Sequence, residues 1–231
     1  MTESLPRPDT HRFPDLRDSD VRVVPAGTRL GRIYPGGGSQ PSTWNTFRAW
    51  GPTRARFDHQ PPPPREHPTR RVMYAGAYLP GMDGSQSYPL LPSCLAEVFR
   101  DSGPVDTVAQ SPCFTLFDVT RDLRLLDLAD SDWVTRAGGN GAISSGSRGK
   151  SRAWARAIYR HYGSLSPLKA HQRVDGVIYP SSNIPPARSV ALWETAADAL
   201  PTRPALNDPL TVRGLRPALE DACRRIGLGL V

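Results

Sequence analysis

An α+β domain is the fold class this sequence predicts, and three observations carry it. Strand-like segments outnumber helical ones along the chain. The two kinds do not alternate in the regular way that a doubly wound parallel sheet requires. The 231 residues, 38% of them hydrophobic, suffice for one domain with a core that needs no disulfide staples.

The elements follow in chain order. Residues 1–20 are polar, broken by Pro6, Pro8 and Pro14, and lack helical or strand period; they read as a loose N-terminal arm without the apolar core of a secretion signal. Short β-branched or aromatic runs bounded by Gly, Pro or Asp predict strands at 21–24, 71–79, 113–120, 123–128, 176–180 and 189–194. HQPPPPREHPTR (59–70) reads as an extended, solvent-facing insertion loop. Helices are expected at 91–102, 151–163 and 212–227. The first has Ser93 as its N-cap and Cys94, Leu95, Val98 and Phe99 as its apolar stripe. AGGNGAISSGSRGKS (137–151) has the Gly and Ser content of a mobile loop. Residues 201–231 are expected to form a C-terminal helical extension packed on the main domain of residues 21–200.

Charge narrows the partners. The net charge is +7, and all but Lys150 and Lys169 of the 29 basic residues are arginine. The planar guanidinium fork suits phosphate and carboxylate recognition, so the balance favours nucleic acid, a phosphorylated cofactor or an acidic protein. No stretch approaches the roughly 20 consecutive apolar residues of a membrane span. Cys94, Cys113 and Cys223 are odd in number and lack C-x-x-C spacing, which argues against structural zinc or a planned disulfide and makes a reducing cytoplasm the default.

Several residues are candidates for chemistry. Arg32 lies in GRIYPGGG, where glycines beside an arginine either cradle a phosphate with backbone amides or form a plain surface turn. Arg54, Arg56 and His59 cluster in GPTRARFDH. Glu97 has apolar neighbours in SCLAEVF, so a partly buried carboxylate is expected, either paired with an arginine or catalytic. Glu194 should face solvent or cap a turn. Ser181 follows a strand in YPSSN, placed to meet a ligand, yet there is no G-x-S-x-G elbow. The five histidines show neither a triad context nor metal spacing, so no metal is expected. Trp44, Phe47, Trp50 and Phe57 interleave with Arg48, Arg54 and Arg56, as in base-stacking surfaces, and also as core residues would.

The segment DGVIYPSSNIPPARSVALWE (175–194) resembles the C-terminal motif of the RES domain family, named for its Arg, Glu and Ser. Upstream, LGRIYP (30–35) and RARFDH (54–59) resemble its two arginine motifs. VMYAG (72–76) resembles its tyrosine strand and CLAEVF (94–99) its glutamate helix, after an insertion PGMDGSQSYPLLPS. The resemblance implies an ADP-ribosyltransferase-like single domain with a split, mostly antiparallel sheet and flanking helices. It implies a toxin of a bacterial toxin–antitoxin pair that cleaves the nicotinamide–ribose bond of NAD by phosphorolysis or hydrolysis, or transfers ADP-ribose to a protein. NAD is then a consumed substrate, with inorganic phosphate as a co-substrate of phosphorolysis. The partner is an Xre-like antitoxin, in a hetero-oligomer with it or beside a homo-oligomer. By position Glu97, Arg32 and Ser181 take the catalytic roles, and Arg56, with Arg54 as its competitor, and Tyr74 bind the dinucleotide. From another class, a basic nucleic-acid-binding module without enzymatic activity is the competing reading.

Overall fold

The computed structural model describes residues 4–79, 87–163 and 169–231. Among these residues there are ten strands: β1 (Val21–Val24), β2 (Arg29–Pro35), β3 (Trp50–Gly51), β4 (Arg65–Glu66), β5 (Val72–Ala77), β6 (Pro112–Asp118), β7 (Leu123–Asp127), β8 (Gly176–Pro180), β9 (Arg188–Trp193) and β10 (Leu206–Pro209). The helices are α1 (Leu90–Phe99), α2 (Trp133–Arg136), α3 (Ala142–Ser145), α4 (Arg148–Tyr162) and α5 (Arg216–Ile226), with short 3-10 turns between. Eight strands make one sheet in the order β1-β7-β8-β9-β5-β2-β6-β10. Every pairing in it is antiparallel except β7 with β8. The α+β expectation and its mostly antiparallel sheet therefore hold, and six of the strands lie where the β-branched and aromatic runs placed them.

Alternation along β5 shows how the layers form, since successive side chains of a strand point to opposite faces. Val72 joins a core built with α4, Trp133, Trp154 and Tyr162, against which Tyr74 packs. Met73, Ala75 and Ala77 join the core on the other face, with Leu30, Phe117 and Leu125. A third cluster lies between α1, α5 and the β6 edge, through Leu95, Phe99, Phe114 and Leu219.

Five expectations change. The loose arm is packed: Leu5, Phe13 and Leu16 are buried, and the Phe13 ring lies 5.1 Å from Trp133 and 5.7 Å from Trp154. Its prolines excluded regular structure but not burial of the apolar residues between them. The Pro-rich insertion is solvent-facing over residues 62–66 and 68–69, whereas His59, Gln60 and His67 are buried beneath it. α1 begins at Leu90, with Pro92 tolerated in its first turn; Ser93 is thus no N-cap, and its hydroxyl donates to the Pro89 carbonyl at 2.8 Å. The stretch 137–151 contains α3 and opens α4. Beyond residue 200 the chain first adds β10 to the sheet edge before its helix begins. Residues 80–86 of the expected insertion lie outside the described residues.

Candidate active site

The main cleft opens where the sheet divides. β2 and β5 pair only at Leu30–Ala77 and Gly31–Gly76. From there β2 continues with β6 to Pro35, and β5 runs back along β9 to Val72. The gap between them holds a cleft of about 850 Å³, walled by β2, β5, the 46–56 segment, α1 and the start of α4. That volume is in the range of small-molecule and cofactor sites.

Glycines at the fork seat α1. A Cβ on Gly31 would stand 3.2 Å from the Leu90 Cβ, and one on Gly76 would stand 3.3 Å from the Leu90 Cδ2. Either would press the helix off the sheet. The Cys94 thiol donates to the Gly31 carbonyl at 3.2 Å, and burial pushes its pKa up to about 12, so it is an unreactive packing group. Seated this closely, α1 carries Glu97 into the cleft wall. The expected partial burial of Glu97 is not found. Helical rotation turns Glu97 and Val98 outward while Cys94, Leu95 and Phe99 go in. Glu97 is exposed to the cleft and has no arginine within salt-bridge distance among the described residues.

Ser181 stands behind this carboxylate rather than in the open cleft. It is 2% exposed, donates its hydroxyl to Glu97 Oε1 at 2.5 Å, and accepts the backbone N–H groups of Asn183 (3.2 Å) and Ile184 (3.0 Å). Asn183 also donates its amide to the Ala96 carbonyl at 3.1 Å. The β8–β9 loop is thereby fastened to α1, and its serine holds one oxygen of Glu97 in place.

Three cleft arginines, Arg32, Arg54 and Arg56, lack carboxylate partners among the described residues. Arg32 donates from Nη1 to the carbonyls of Thr46 (2.9 Å) and Trp44 (3.3 Å), while its buried Nε has no hydrogen-bond partner. Burial lowers its pKa to about 10, which leaves it a cation at neutral pH. Arg56 is held by the Gly146 carbonyl (2.6 Å) and the Ser151 hydroxyl (3.2 Å). Burial first, then the neighbouring Arg148 cation, lowers its pKa. A partly buried cation without a counter-ion is costly, and an anion entering the cleft offsets that cost. Arg54 is exposed and lines the same cleft.

Tyr74 faces the cleft from β5, and its buried hydroxyl closes no hydrogen bond. Burial raises its pKa well above the usual phenol range, so it is a neutral donor. All five predicted site residues thus converge on one region, four as cleft lining and Ser181 behind Glu97.

Tyr179 escaped the sequence reading, and Arg48 was read only as part of an aromatic-interleaved basic run. Tyr179 is buried with its ring 4.2 Å from Phe57 and reaches the cleft. The available signal was its position two residues before Ser181, which puts both on one strand face. Arg48 is pinned by the fully buried Asp58 (2.7 Å) and by Gln60 (2.8 Å). A Cβ at Gly51 would fall 1.8 Å from Gln60 Oε1, so that glycine makes room for the clamp.

The anion-cradle reading of GRIYPGGG is overturned. The Gly36 and Gly37 N–H groups donate to the carbonyls of Ser111 (3.0 Å) and Gln110 (2.9 Å), so those amides are already paired. A Cβ at Gly36 would lie 2.9 Å from the Ser111 carbonyl oxygen. The glycines therefore serve close strand approach. Glu194 is not at a solvent-facing turn either: it accepts a hydrogen bond from the Tyr159 hydroxyl. Of the interleaved aromatics, Phe47 and Phe57 are buried in the core and Trp50 is 45% exposed. Among the described residues no cluster of His, Cys, Asp and Glu could hold a metal, and no helix is long and apolar enough to cross a membrane.

A search of curated proteins gave no significant match. Among solved structures, a chain in the crystal structure of the M. tuberculosis MbcT–MbcA toxin–antitoxin complex has the same fold. Its TM-score is 0.50 over 94% of this chain and 96% of that one, at 15% identity. The RES domain model matches residues 29–212, which spans β2 through β10 and every cleft residue described above. On that match over most of its length, the chain belongs to the RES domain family.

Proposed function

We propose that this chain is the toxin of a bacterial toxin–antitoxin pair and cleaves the nicotinamide–ribose bond of NAD. The observation that carries the reading is Glu97: a cleft-facing carboxylate, oriented by Ser181, beside arginines with no acidic partner. The family resemblance and the likeness to a chain of a toxin–antitoxin complex support the pairing with an antitoxin.

The chemistry assigned to each group follows from the charges. The nicotinamide of NAD leaves as a neutral base, taking the electron pair of the bond, so no acid need protonate it. Positive charge develops on the ribose C1′ and O4′, as in glycoside cleavage. A fixed carboxylate stabilises that charge, and the Glu97 oxygen not held by Ser181 is available for it. Water then adds at C1′ and loses a proton, giving ADP-ribose, or phosphate adds and gives the ADP-ribose 1″-phosphate. Arg32 and Arg56 supply the cations for the pyrophosphate. Tyr74 offers a neutral hydroxyl donor to the ribose or the carboxamide. Ser181 acts as a positioning residue through Glu97.

The test is NAD consumption by purified protein with and without inorganic phosphate, followed by chromatography. Free nicotinamide should appear, and the second product should name the nucleophile. Glu97→Gln should lower kcat by about 100-fold or more with little change in KM, as expected for a group acting mainly in the transition state. Arg32→Ala should raise KM instead. Unchanged turnover in folded Glu97→Gln would remove Glu97 from the mechanism. Label passing from NAD to a protein acceptor would make the chain an ADP-ribosyltransferase.

A further inference from the structure

Helix α4 carries Arg148, Arg152, Arg156 and Arg160 at four-residue intervals. In an α-helix such residues share one face and step about 6 Å along it, so the row is about 18 Å long. The opposite face is the core side, with Trp154, Ala155, Ile158 and Tyr162 buried. Arg70 extends the row sideways, its guanidinium 5.2 Å from the centre of the Tyr159 ring.

This row is poorly neutralised. Arg148 pairs with Asp101 at 2.6 Å. Among the described residues Arg152, Arg156 and Arg160 have no carboxylate within ion-pair distance, and the nearby acids are committed. Asp58 is bonded to Arg48, and Glu194 accepts from Tyr159. Arg152 and Arg156 are also half-buried. The pKa of Arg156 is lowered, by burial first and then by repulsion from Arg152 and Arg160. Like charges at i,i+4 destabilise a helix, so the free chain carries a cost that a complementary anion would remove.

We infer that the Arg148–Arg152–Arg156–Arg160 ridge docks an acidic helix of a protein partner, whose carboxylates repeat at the same four-residue interval. One observation favours a protein over a single-stranded nucleic acid: among the described residues only Trp50 of the neighbouring aromatics stands well out of the core, which leaves no stacking platform. Because Arg148 is itself part of the cleft wall, a helix seated on the ridge ends over the cleft mouth. The docking stands on the ridge alone, and the block of activity that follows from it rests on the NAD-cleaving reading.

The probe is a labelled synthetic helical peptide of about 16 residues, roughly 24 Å long, with glutamate at every fourth position. Its glutamine counterpart and a single-stranded oligonucleotide of equal charge serve as comparisons. Fluorescence anisotropy with the full chain should show binding of the glutamate peptide, weakening as salt rises. The glutamine peptide should not bind. Charge reversal in R152E/R156E/R160E should weaken glutamate-peptide binding by at least about tenfold. NAD turnover of that variant without peptide should equal that of the parent chain, which also reports that it is folded. R152Q/R156Q/R160Q should give an intermediate loss.

Equal peptide affinity in the parent chain and the reversed variant would overturn the proposal. So would tighter binding of the oligonucleotide than of the peptide. If the parent chain binds the peptide through the ridge yet consumes no NAD, the docking holds and the catalytic reading fails. If NAD is consumed and the ridge binds no peptide, the reverse follows.

Discussion

Glu97 was recognisable from the sequence as a chemical candidate, but its surroundings were not. Apolar neighbours on both sides suggested a desolvated carboxylate; helical geometry instead sends those neighbours inward and Glu97 out. Ser181 shows the converse, a serine placed correctly near a ligand site whose hydroxyl is occupied by Glu97. Arg48 and its buried partner Asp58 were not legible, because their pairing depends on a loop geometry with no local period. His59 was read as part of the basic GPTRARFDH cluster and the start of the solvent-facing proline-rich loop, yet it is fully buried, with its ring 4.1 Å from Tyr159 and neither ring nitrogen hydrogen-bonded. Burial lowers its pKa to about 3. The unfolded chain therefore binds a proton at this site between roughly pH 6.5 and 3 that the folded chain excludes. Its contribution is fully present above about pH 6.5 and is lost at about 1.4 kcal/mol per unit as pH falls through that window. His59→Phe keeps the stacking and removes the proton site. Urea titrations at pH 7 and pH 5 should give a smaller difference for the variant than for the parent chain.

Among the elements, strands with β-branched or aromatic composition were legible, and β2, the two-residue β3 and β4, and β10 were not. β2 contains Gly31 and Pro35 and lacks alternation; it is a strand because β6 pairs along its whole length. β10, with the sequence LNDP, has little strand propensity and is held at the edge by β6 and by the Thr115 hydroxyl, which donates to the Leu206 carbonyl at 2.8 Å. Such pairings are long-range and leave no local mark. β8 depends on a further close approach. A Cβ on Gly176 would fall 2.3 Å from the Ala191 carbonyl oxygen of β9, a backbone atom that cannot swing away. Gly176→Ala should therefore cost about 2 kcal/mol and lower the melting temperature by several degrees, measured by calorimetry. Because Tyr179 lies in β8 and Ser181 directly follows it, the same change should also reduce NAD turnover.

At the scale of the whole molecule, the N-terminal segment is part of the domain. Leu5, Phe13 and Leu16 enter the α4 core, the Leu16 N–H donates to Gln172 at 2.6 Å, and the Pro6 carbonyl accepts from the Trp154 indole at 2.8 Å. Removing residues 1–17 would delete three buried apolar side chains, uncover the α4 core they pack on, and unpair Trp154 and Gln172. At roughly 1.5–3 kcal/mol per buried side chain, the loss is about 5 kcal/mol or more, comparable to a typical net stability. The truncated chain should unfold at markedly lower urea concentration than the full chain, or fail to fold. The sequence alone determined the fold class, most strands, the basic character and the residue types of the site, because these depend on composition, period and short motifs. Only the tertiary structure decided where the sheet divides, that Gly31 and Gly76 admit α1, that Ser181 serves Glu97, and that Arg152, Arg156 and Arg160 of α4 meet no carboxylate among the described residues. Each of those depends on distances between segments far apart in the chain, which the residue order does not encode locally.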